Sequence, residues 1–537
     1  MLALTGLLLA LFVSMISSTV VTNALPRIIS DLHGSSTSYT WVITATLLAM
    51  TATTPIWGKL ADLFNRKLLV QTALGIFVTG SALAGLSTST TMLIVFRVVQ
   101  GIGVGGLSAL VQIAIAAMIA PRERGRYNGY LGATFAVATV SGPLIGGVIV
   151  DVPGLGWRAC FYLGLPIAVV AFAVLQRTLR LPVVRREVSI DYLGATVIAA
   201  GVSCLLIWTS LAGASFAWVS AESALLLGGS AVLLAAAVAV EARAKEPIVP
   251  LRLFRDRTIV LTVIASACVG TVLYSANLLF SQYYQLGRGM SPTLSGILTI
   301  PMVGGLAIAS LIAGRVISQT GRWKHLLILG TILVGTGLAL LSTISDRTPL
   351  VMVALFAAVM GAGMGMTQQN LVLAAQNSAS ATDLGAASST VAFFRSLGGS
   401  TGVAALGALL SSQVSGATIS GLRDRGLPPD TLGDGRSVPD PSALPEAVAA
   451  VVHQAYGHGV AVVFLASVPL AAFALLAVLF VPEVRLKSTV GAESLERVPA
   501  KRPVRSRLMD DHDGDSTENV ELTAWRTAAG ASAEPAP

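Results

Sequence analysis

Apolar runs of spanning length alternate with short polar turns along nearly the whole chain. A helix needs roughly 20 apolar residues to cross the hydrocarbon of a bilayer. About fourteen runs reach that length, near residues 2–25, 40–58, 68–87, 91–119, 128–150, 158–176, 192–212, 223–241, 258–280, 293–313, 324–343, 348–373, 384–411 and 459–482. The pattern predicts an all-α polytopic membrane protein. Two stretches break it. Residues 412–457 read as a long polar loop with Gly-Leu-Pro-Pro and Val-Pro-Asp-Pro turns. Residues 483–537 read as a disordered tail, basic at first (Arg485, Lys487, Arg497, Lys501, Arg502, Arg505, Arg507) and then acidic (Asp510, Asp511, Asp513, Asp515).

Composition sharpens this picture. The 537 residues are 54% hydrophobic and 12% charged, where an ordinary soluble protein carries about 25% charged residues. The mean hydropathy is +0.76. The run from Met1 to Val21 is too long for a signal-peptide core and has no basic flank or Ala-x-Ala site, so it reads as a retained first span. The net charge of +8 does not imply a nucleic-acid partner, because most basic residues lie in loops on one side. With the N-terminus inside, those loops hold Lys59, Arg66 and Lys67; Arg122, Arg124 and Arg126; Arg177, Arg180, Arg185 and Arg186; Arg243, Lys245, Arg252, Arg255 and Arg257; and Arg315, Arg322 and Lys324. The opposite loops hold little beyond Arg27, Arg158, Arg288 and Arg347. That asymmetry predicts cytoplasmic termini on a multi-pass protein of the cell membrane, bacterial by expectation. The basic part of the tail is placed to touch anionic membrane lipid, although a solvated tail is the simpler reading. Cys160, Cys204 and Cys268 fall inside apolar runs, which argues against a disulfide framework.

The turn Gly58-Lys-Leu-Ala-Asp-Leu-Phe-Asn-Arg-Lys67 has a weaker copy about 256 residues later, Gly314-Arg-Val-Ile-Ser-Gln-Thr-Gly-Arg-Trp-Lys324. Gly58 matches Gly314, Lys59 matches Arg315 and Arg66 matches Arg322. A duplicated basic turn in so apolar a chain points to two related halves, the layout of a secondary transporter. Gly58 lets two helices approach closely. Asp62 and Arg66, four apart, can pair on a helical turn. Glu123, in Pro121-Arg-Glu-Arg-Gly125, is a second possible partner for Arg66 or Lys59. Such a cluster can latch one conformation and release in another.

Arg97 lies inside the fourth run, in Arg97-Val-Val-Gln-Gly-Ile-Gly-Val-Gly-Gly106. An ionisable residue in a span costs about 2.5–3.5 kcal/mol on insertion scales and is a functional candidate by default. Gly101 and Gly105 share its face. The Gly-x-Gly-x-x-Gly at 101–106 sits mid-span and follows no strand, so it is no nucleotide fingerprint, and no Gly-x4-Gly-Lys-Ser/Thr loop occurs. In the fifth run, Gly142 and Gly146 make a small-residue face and Pro143 frees a carbonyl, a packing hinge. Ser14, Ser18 and Thr22 form a polar stripe on the first run beside Ser17, Thr19 and Asn23. With Tyr274, Asn277, Gln282, Tyr283, Gln368, Gln369 and Asn370 they suit a cavity for an amphipathic, mostly uncharged small molecule. No metal-ligand spacing or nucleophile–base pair supports a membrane-embedded enzyme. His453 and His458 are too sparse for a zinc site, and no metal or cofactor is expected.

These residues resemble the major facilitator superfamily. The 58–67 turn looks like its loop signature, Arg97 with Gln100 and Gly101 like its fourth-span signature, and Ser141-Gly-Pro-Leu-Ile-Gly-Gly147 like the fifth-span motif of its antiporters. Ile16-Ser-Ser-Thr-Val-Val-Thr-Asn-Ala-Leu-Pro26, Met290-Ser-Pro-Thr-Leu-Ser-Gly-Ile-Leu-Thr-Ile-Pro301 and Phe394-Arg-Ser-Leu-Gly-Gly399 resemble the fourteen-span drug:proton antiporters. The resemblance, over about residues 1–485, implies two six-helix bundles with two inserted spans. The divisions fall at 1–177, 178–257 and 258–482, before the tail. It implies export of lipophilic, often cationic compounds by alternating access, with the proton gradient as energy source, and a monomer is expected. Conformational and proton coupling would fall to Asp62, Arg66, Lys59, Arg97, Gln100, Glu123 and Asp31, and gating to Gly58, Gly101, Gly105, Gly142, Pro143, Gly146 and Gly147. A lipid or metabolite transporter of the same fold is the alternative, and a non-transporting sensor a more distant one. Two positions depart from the family. Asn65 replaces the usual glycine of the loop, where a left-handed backbone would be tolerated. Ser17 replaces the usual first-span aspartate, which leaves the proton to another acid, Asp31 and Asp62 being the best placed.

Overall fold

A computed structural model describes residues 2–33, 36–151, 156–179, 191–213, 216–380, 382–425, 445–484 and 486. The tail beyond 486 and the stretch 426–444 lie outside the described residues. In chain order the helices are α1 (Leu2–Asp31), α2 (Ser36–Leu63), α3 (Arg66–Gly85), α4 (Thr90–Met118), α5 (Pro121–Asp151), α6 (Ala159–Tyr162), α7 (Gly164–Thr178), α8 (Tyr192–Leu211), α9 (Ala221–Glu241), α10 (Arg257–Gln282), α11 (Pro292–Leu298), α12 (Ile300–Thr320), α13 (Lys324–Leu341), α14 (Leu350–Ser378), α15 (Leu384–Asp424) and α16 (Glu446–Phe480). A 3-10 turn, Leu251–Arg255, precedes α10, and a π turn, Tyr283–Gly287, follows it.

Each of the fourteen apolar runs falls on helix. Among the described residues, twelve helical segments are long and apolar enough to cross a membrane, with α6–α7 and α11–α12 each contributing to a single crossing. The other two runs lie on α2 and α5, which are less apolar but 28 and 31 residues long. Polar residues are tolerated in α2 because their hydroxyls return to their own helix: Thr53 Oγ1 donates to Ala49 O at 2.7 Å and Thr54 Oγ1 to Met50 O at 2.7 Å. Side-chain caps mark several starts, such as Ser89 for α4, Ser220 for α9 and Asp256 for α10.

Two expectations are corrected. The polar loop at 412–457 is helical at both ends, since α15 runs to Asp424 and α16 begins at Glu446. Val414, Thr418 and Leu422 recur at four-residue spacing and are buried, and Leu422 packs with Val448 and Val451. Hydropathy misses such a pair because only one face of each helix is apolar. Asn65 does not adopt a left-handed backbone. Its φ is −61°, and its side chain caps α3 by accepting from Lys67 N.

α1 to α7 pack together, with α4 set between α2 and α3 and with α1 against α5 and α7. α10 to α16 form a second group, with α14 between α12 and α13 and α10 against α15 and α16. The two groups meet mainly along α5–α12 and α2–α15. α8 and α9 form a hairpin whose α8 packs on α2 and α15, at the seam. α9 leaves Leu225 74% and Val232 69% exposed, as suits a helix against lipid. Glycines permit the tightest crossings. A Cβ on Gly101 would lie 2.5 Å from Thr46 O, and one on Gly105 would lie 2.6 Å from Met50 O, so this face of α4 rests on the α2 backbone.

Candidate functional site

The end of the bundle that carries Lys59, Arg66, Arg122 and Arg322 is where the two groups are bonded together. Asp62, near the end of α2, accepts from Gly385 N at 2.8 Å and from Ala386 N at 2.9 Å, using both carboxylate oxygens. These are first-turn amides of α15, which have no partner within their own helix and sit at its positive end. Arg66 Nη2 lies 3.8 Å from Asp62 Oδ1, and Arg66 Nε donates to Ala61 O. The expected Asp62–Arg66 pair is therefore present, but the closer bonds of Asp62 reach into the other half. Gly58 makes this possible, because a Cβ there would strike Ser389 of α15.

The repeated turn mirrors this arrangement. A Cβ on Gly314 would strike the Gly125 carbonyl of α5. Ser318 Oγ accepts from Arg126 N at 2.9 Å, and Arg122 Nη2 donates to Gln319 O at 3.0 Å. Arg124 bridges as well: its Nη2 donates to Ala116 O at 2.6 Å and its Nη1 to Gln376 Oε1 of α14 at 3.4 Å.

Glu123 is corrected. It is exposed and pairs with neither Arg66 nor Lys59. Lys59 Nζ instead lies 2.6 Å from Glu246 Oε2, in the segment that joins α9 to α10. On that segment Arg252 Nη2 lies 2.7 Å from Asp383 Oδ1, just before α15. The segment thus straps α2 to the start of α15 beside the Asp62 cap. The sequence offered no cue to this pairing, since 187 residues separate Lys59 from Glu246.

Arg97 is 2% exposed. Its Nη1 donates to Gln100 Oε1 at 2.7 Å and its Nε to Val42 O at 3.4 Å. Gln100 Nε2 lies 3.1 Å from both Ser17 Oγ and Ser81 Oγ. The guanidinium therefore faces α2 and a polar network, with no carboxylate paired to it among the described residues. Ser17 of α1, where the resemblance leads one to expect an acid, is a member of this network.

The remaining candidates scatter. Asp31 pairs with Arg27 at 3.7 Å at the opposite end, where both are well exposed. Gly142 packs against Thr19 of α1, and Gly146 is buried. The surroundings of Pro143, Gly147 and Asn23 lie outside the described residues. On α1, Ser14 is buried, Ser18 half-buried and Thr22 exposed, so the polar stripe emerges toward the non-basic end. Tyr274 and Asn277 are half-buried on α10. Gln368 and Gln369 are buried on α14, and the Gln369 carbonyl accepts from Asn128 of α5. Among the described residues these polar side chains are spread over α1, α10 and α14. A narrow crevice between α10, α13 and α16, lined by Cys268, Val272, Val334 and Ala471, is apolar and holds none of them. Arg395 of α15, which the sequence places in the Phe394–Gly399 motif without a role, is 9% exposed with Nη1 unpartnered. A charge in the middle of an apolar run was the available signal.

Comparison with known proteins completes the picture. Residues 7–403 match the family model of the Major Facilitator Superfamily. The chain is 37% identical over 487 residues to an uncharacterized MFS-type transporter of Mycobacterium tuberculosis, covering 90% of this chain and 69% of that one. It is 35% identical over 413 residues to the multidrug transporter protein MdtP of Bacillus subtilis, covering 77% and 75%. The solved proton:xylose symporter XylE has a similar fold, with a TM-score of 0.59 at 13% identity over 92% of this chain and 98% of that one. A membrane-spanning helical chain in two groups, joined by duplicated basic turns and matched over most of its length, is a transporter belonging to the Major Facilitator Superfamily.

Proposed function

We propose that this protein is a secondary active exporter of lipophilic and amphipathic small molecules, driven by the proton gradient. The observation that carries this reading is the seam at the basic end. It is made of polar bonds between two rigid groups, Asp62 to the first turn of α15 and Ser318 to α5. Such bonds can break and re-form without unpacking either group, as alternating access requires. The basic end is the cytoplasmic one by the distribution of Lys and Arg. Both termini then lie in the cytoplasm of a bacterial cell, and the described state is closed toward it. Likeness to the Bacillus multidrug transporter supports the substrate class. Lipid and metabolite transport by the same fold is the second reading.

The test is flux in proteoliposomes of the purified full-length protein under an imposed pH gradient, screened over dyes, antibiotics and lipids. Uphill movement of dyes or antibiotics that collapses with the gradient is expected. Movement of lipid alone would select the second reading, and flux indifferent to the gradient would remove proton drive.

A further inference from the structure

Asp191 and Glu241 meet at the basic end of the α8–α9 hairpin. Asp191 precedes α8, and its Oδ1 accepts from Gly194 N at 2.8 Å. Glu241 is the last residue of α9. It is 5% exposed, and its Oε2 accepts from Val249 N at 3.0 Å. The remaining oxygen of each carboxyl, Asp191 Oδ2 and Glu241 Oε1, is buried with no partner. Both orphaned oxygens lie against Gly194, where a Cβ would strike each of them. Among the described residues, the charged groups around the pair are Lys59, Arg243, Lys245 and Glu246. Lys59, from α2, acts on Glu241 but lies 2.6 Å from Glu246, and Arg243 and Lys245 are exposed.

Asp191 as a whole is half-buried, but two ionised carboxylates whose facing oxygens are both buried repel each other unless a cation stands between them. One proton removes the conflict. It converts one orphaned acceptor into a donor for the other, which satisfies both oxygens with a single bond. We propose that Asp191 and Glu241 share one proton at neutral pH, so that the base of the inserted hairpin is a proton-binding site. The helix ends decide where the proton rests. Asp191 stands at the start of α8, which favours its anion, and Glu241 stands in the last turn of α9, which disfavours its anion. Glu241 Oε1 therefore carries the proton and donates to Asp191 Oδ2.

This site sits on the strap. Glu241 holds Val249, Glu246 holds Lys59, and Arg252 holds Asp383 at the start of α15. Loss of the proton leaves two anions in contact. They are relieved by drawing Lys59 from Glu246 or by parting the base of the hairpin, and either loosens the strap over the seam. The inference deepens the proton-driven reading by naming the acids, and the test below does not depend on transport.

The test is infrared difference spectroscopy of the full-length protein in lipid nanodiscs at neutral pH, wild type against Asp191→Asn and Glu241→Gln. In each variant the new amide N–H replaces the shared O–H, so the fold is expected to hold. The expected result is a protonated-carboxyl band in the wild type, shifted by deuterium exchange and absent from both variants. Spectra without that difference would mean that both carboxyls are ionised, and would overturn the proposal. A band lost in Glu241→Gln but unshifted in Asp191→Asn would mean a lone protonated glutamate and would also overturn it. Erasure of the band by sodium, potassium or magnesium ions at constant pH would assign the site to a cation instead. Flux indifferent to a pH gradient beside an intact band would sink proton drive and leave the site standing.

Discussion

Asp62 and Ser318 hold equivalent positions in the two halves, and each bonds a backbone amide of the opposite half. The two bonds differ in strength. Asp62 is charged and takes two amides, at 2.8 and 2.9 Å, that α15 itself leaves unpaired. Ser318 is neutral and takes one amide, Arg126 N, in the second turn of α5, where the helix already supplies a partner. Hydrogen bonds to charged groups are worth about 1.5–3 kcal/mol, against about 1 for neutral ones. Of these two matched positions, Asp62 therefore makes the stronger bond.

Asp62→Asn removes the charge and turns an N–H toward one of the two amides. The closed state should lose stability by roughly 1.5–3 kcal/mol, about a 10- to 150-fold shift in population. Turnover in proteoliposomes should fall strongly, while equilibrium substrate affinity changes little. Ser318→Ala should have a smaller effect. A large loss of affinity with intact turnover would place Asp62 in the binding site instead.

Gly314→Val tests the other side. Its side chain would strike the Gly125 carbonyl and approach Gly129 N, 3.3 Å from the Cβ position. The α5–α12 crossing should then fail to close, with transport lost and membrane insertion unaffected. Disulfide yield between cysteines placed at Arg126 and Ser318, where Ser318 Oγ lies 2.9 Å from Arg126 N, should drop from high to background. An unchanged yield would show that the crossing tolerates the added bulk.

Arg97→Ala should abolish transport and leave the protein inserted and folded. Removing the guanidinium takes the donor from Gln100 Oε1 and leaves that buried oxygen unpaired, a penalty of about 1–3 kcal/mol. This is within what a large helical membrane protein can absorb. Expression with a normal elution profile, measured beside flux, checks both halves of the prediction. Wild-type efflux at normal expression would remove Arg97 from the mechanism.

Ser17→Asp restores the acid that the family usually carries in the first span. The new carboxylate would stand beside Gln100 Nε2, which is 3.1 Å from Ser17 Oγ, and one residue from the Arg97 guanidinium. Those donors offset its burial. Export of a cationic dye should rise relative to a neutral compound of similar size. If the ratio does not move, the missing carboxylate does not set charge preference.

Apolar length carried most of the architecture, since a span is a local property of some twenty consecutive residues. The errors fell where one face of a helix, or a distant partner, decides the outcome. Leu422 buries itself on Val448 and Val451, so a stretch read as loop is helix. Asn65 was given a backbone role when its side chain is what the turn uses. Glu123 was paired by proximity of turns, whereas Lys59 finds Glu246 across 187 residues. Asp191 and Glu241 stand 50 residues apart at the two ends of a hairpin, and nothing short of the fold places their free oxygens together.

α15 begins under the Asp62 cap and continues unbroken for 41 residues. At 1.5 Å per residue that is about 60 Å, twice the roughly 30 Å of hydrocarbon it crosses. Its far end therefore stands well beyond the hydrocarbon on the side opposite the Asp62 cap. A tilt of a few degrees at the capped turn becomes a displacement of several ångströms at Ser420, which is exposed near the far tip. If the basic end opens as proposed, a fluorophore or spin label there would report it from the opposite face of the membrane, without touching any residue of the seam.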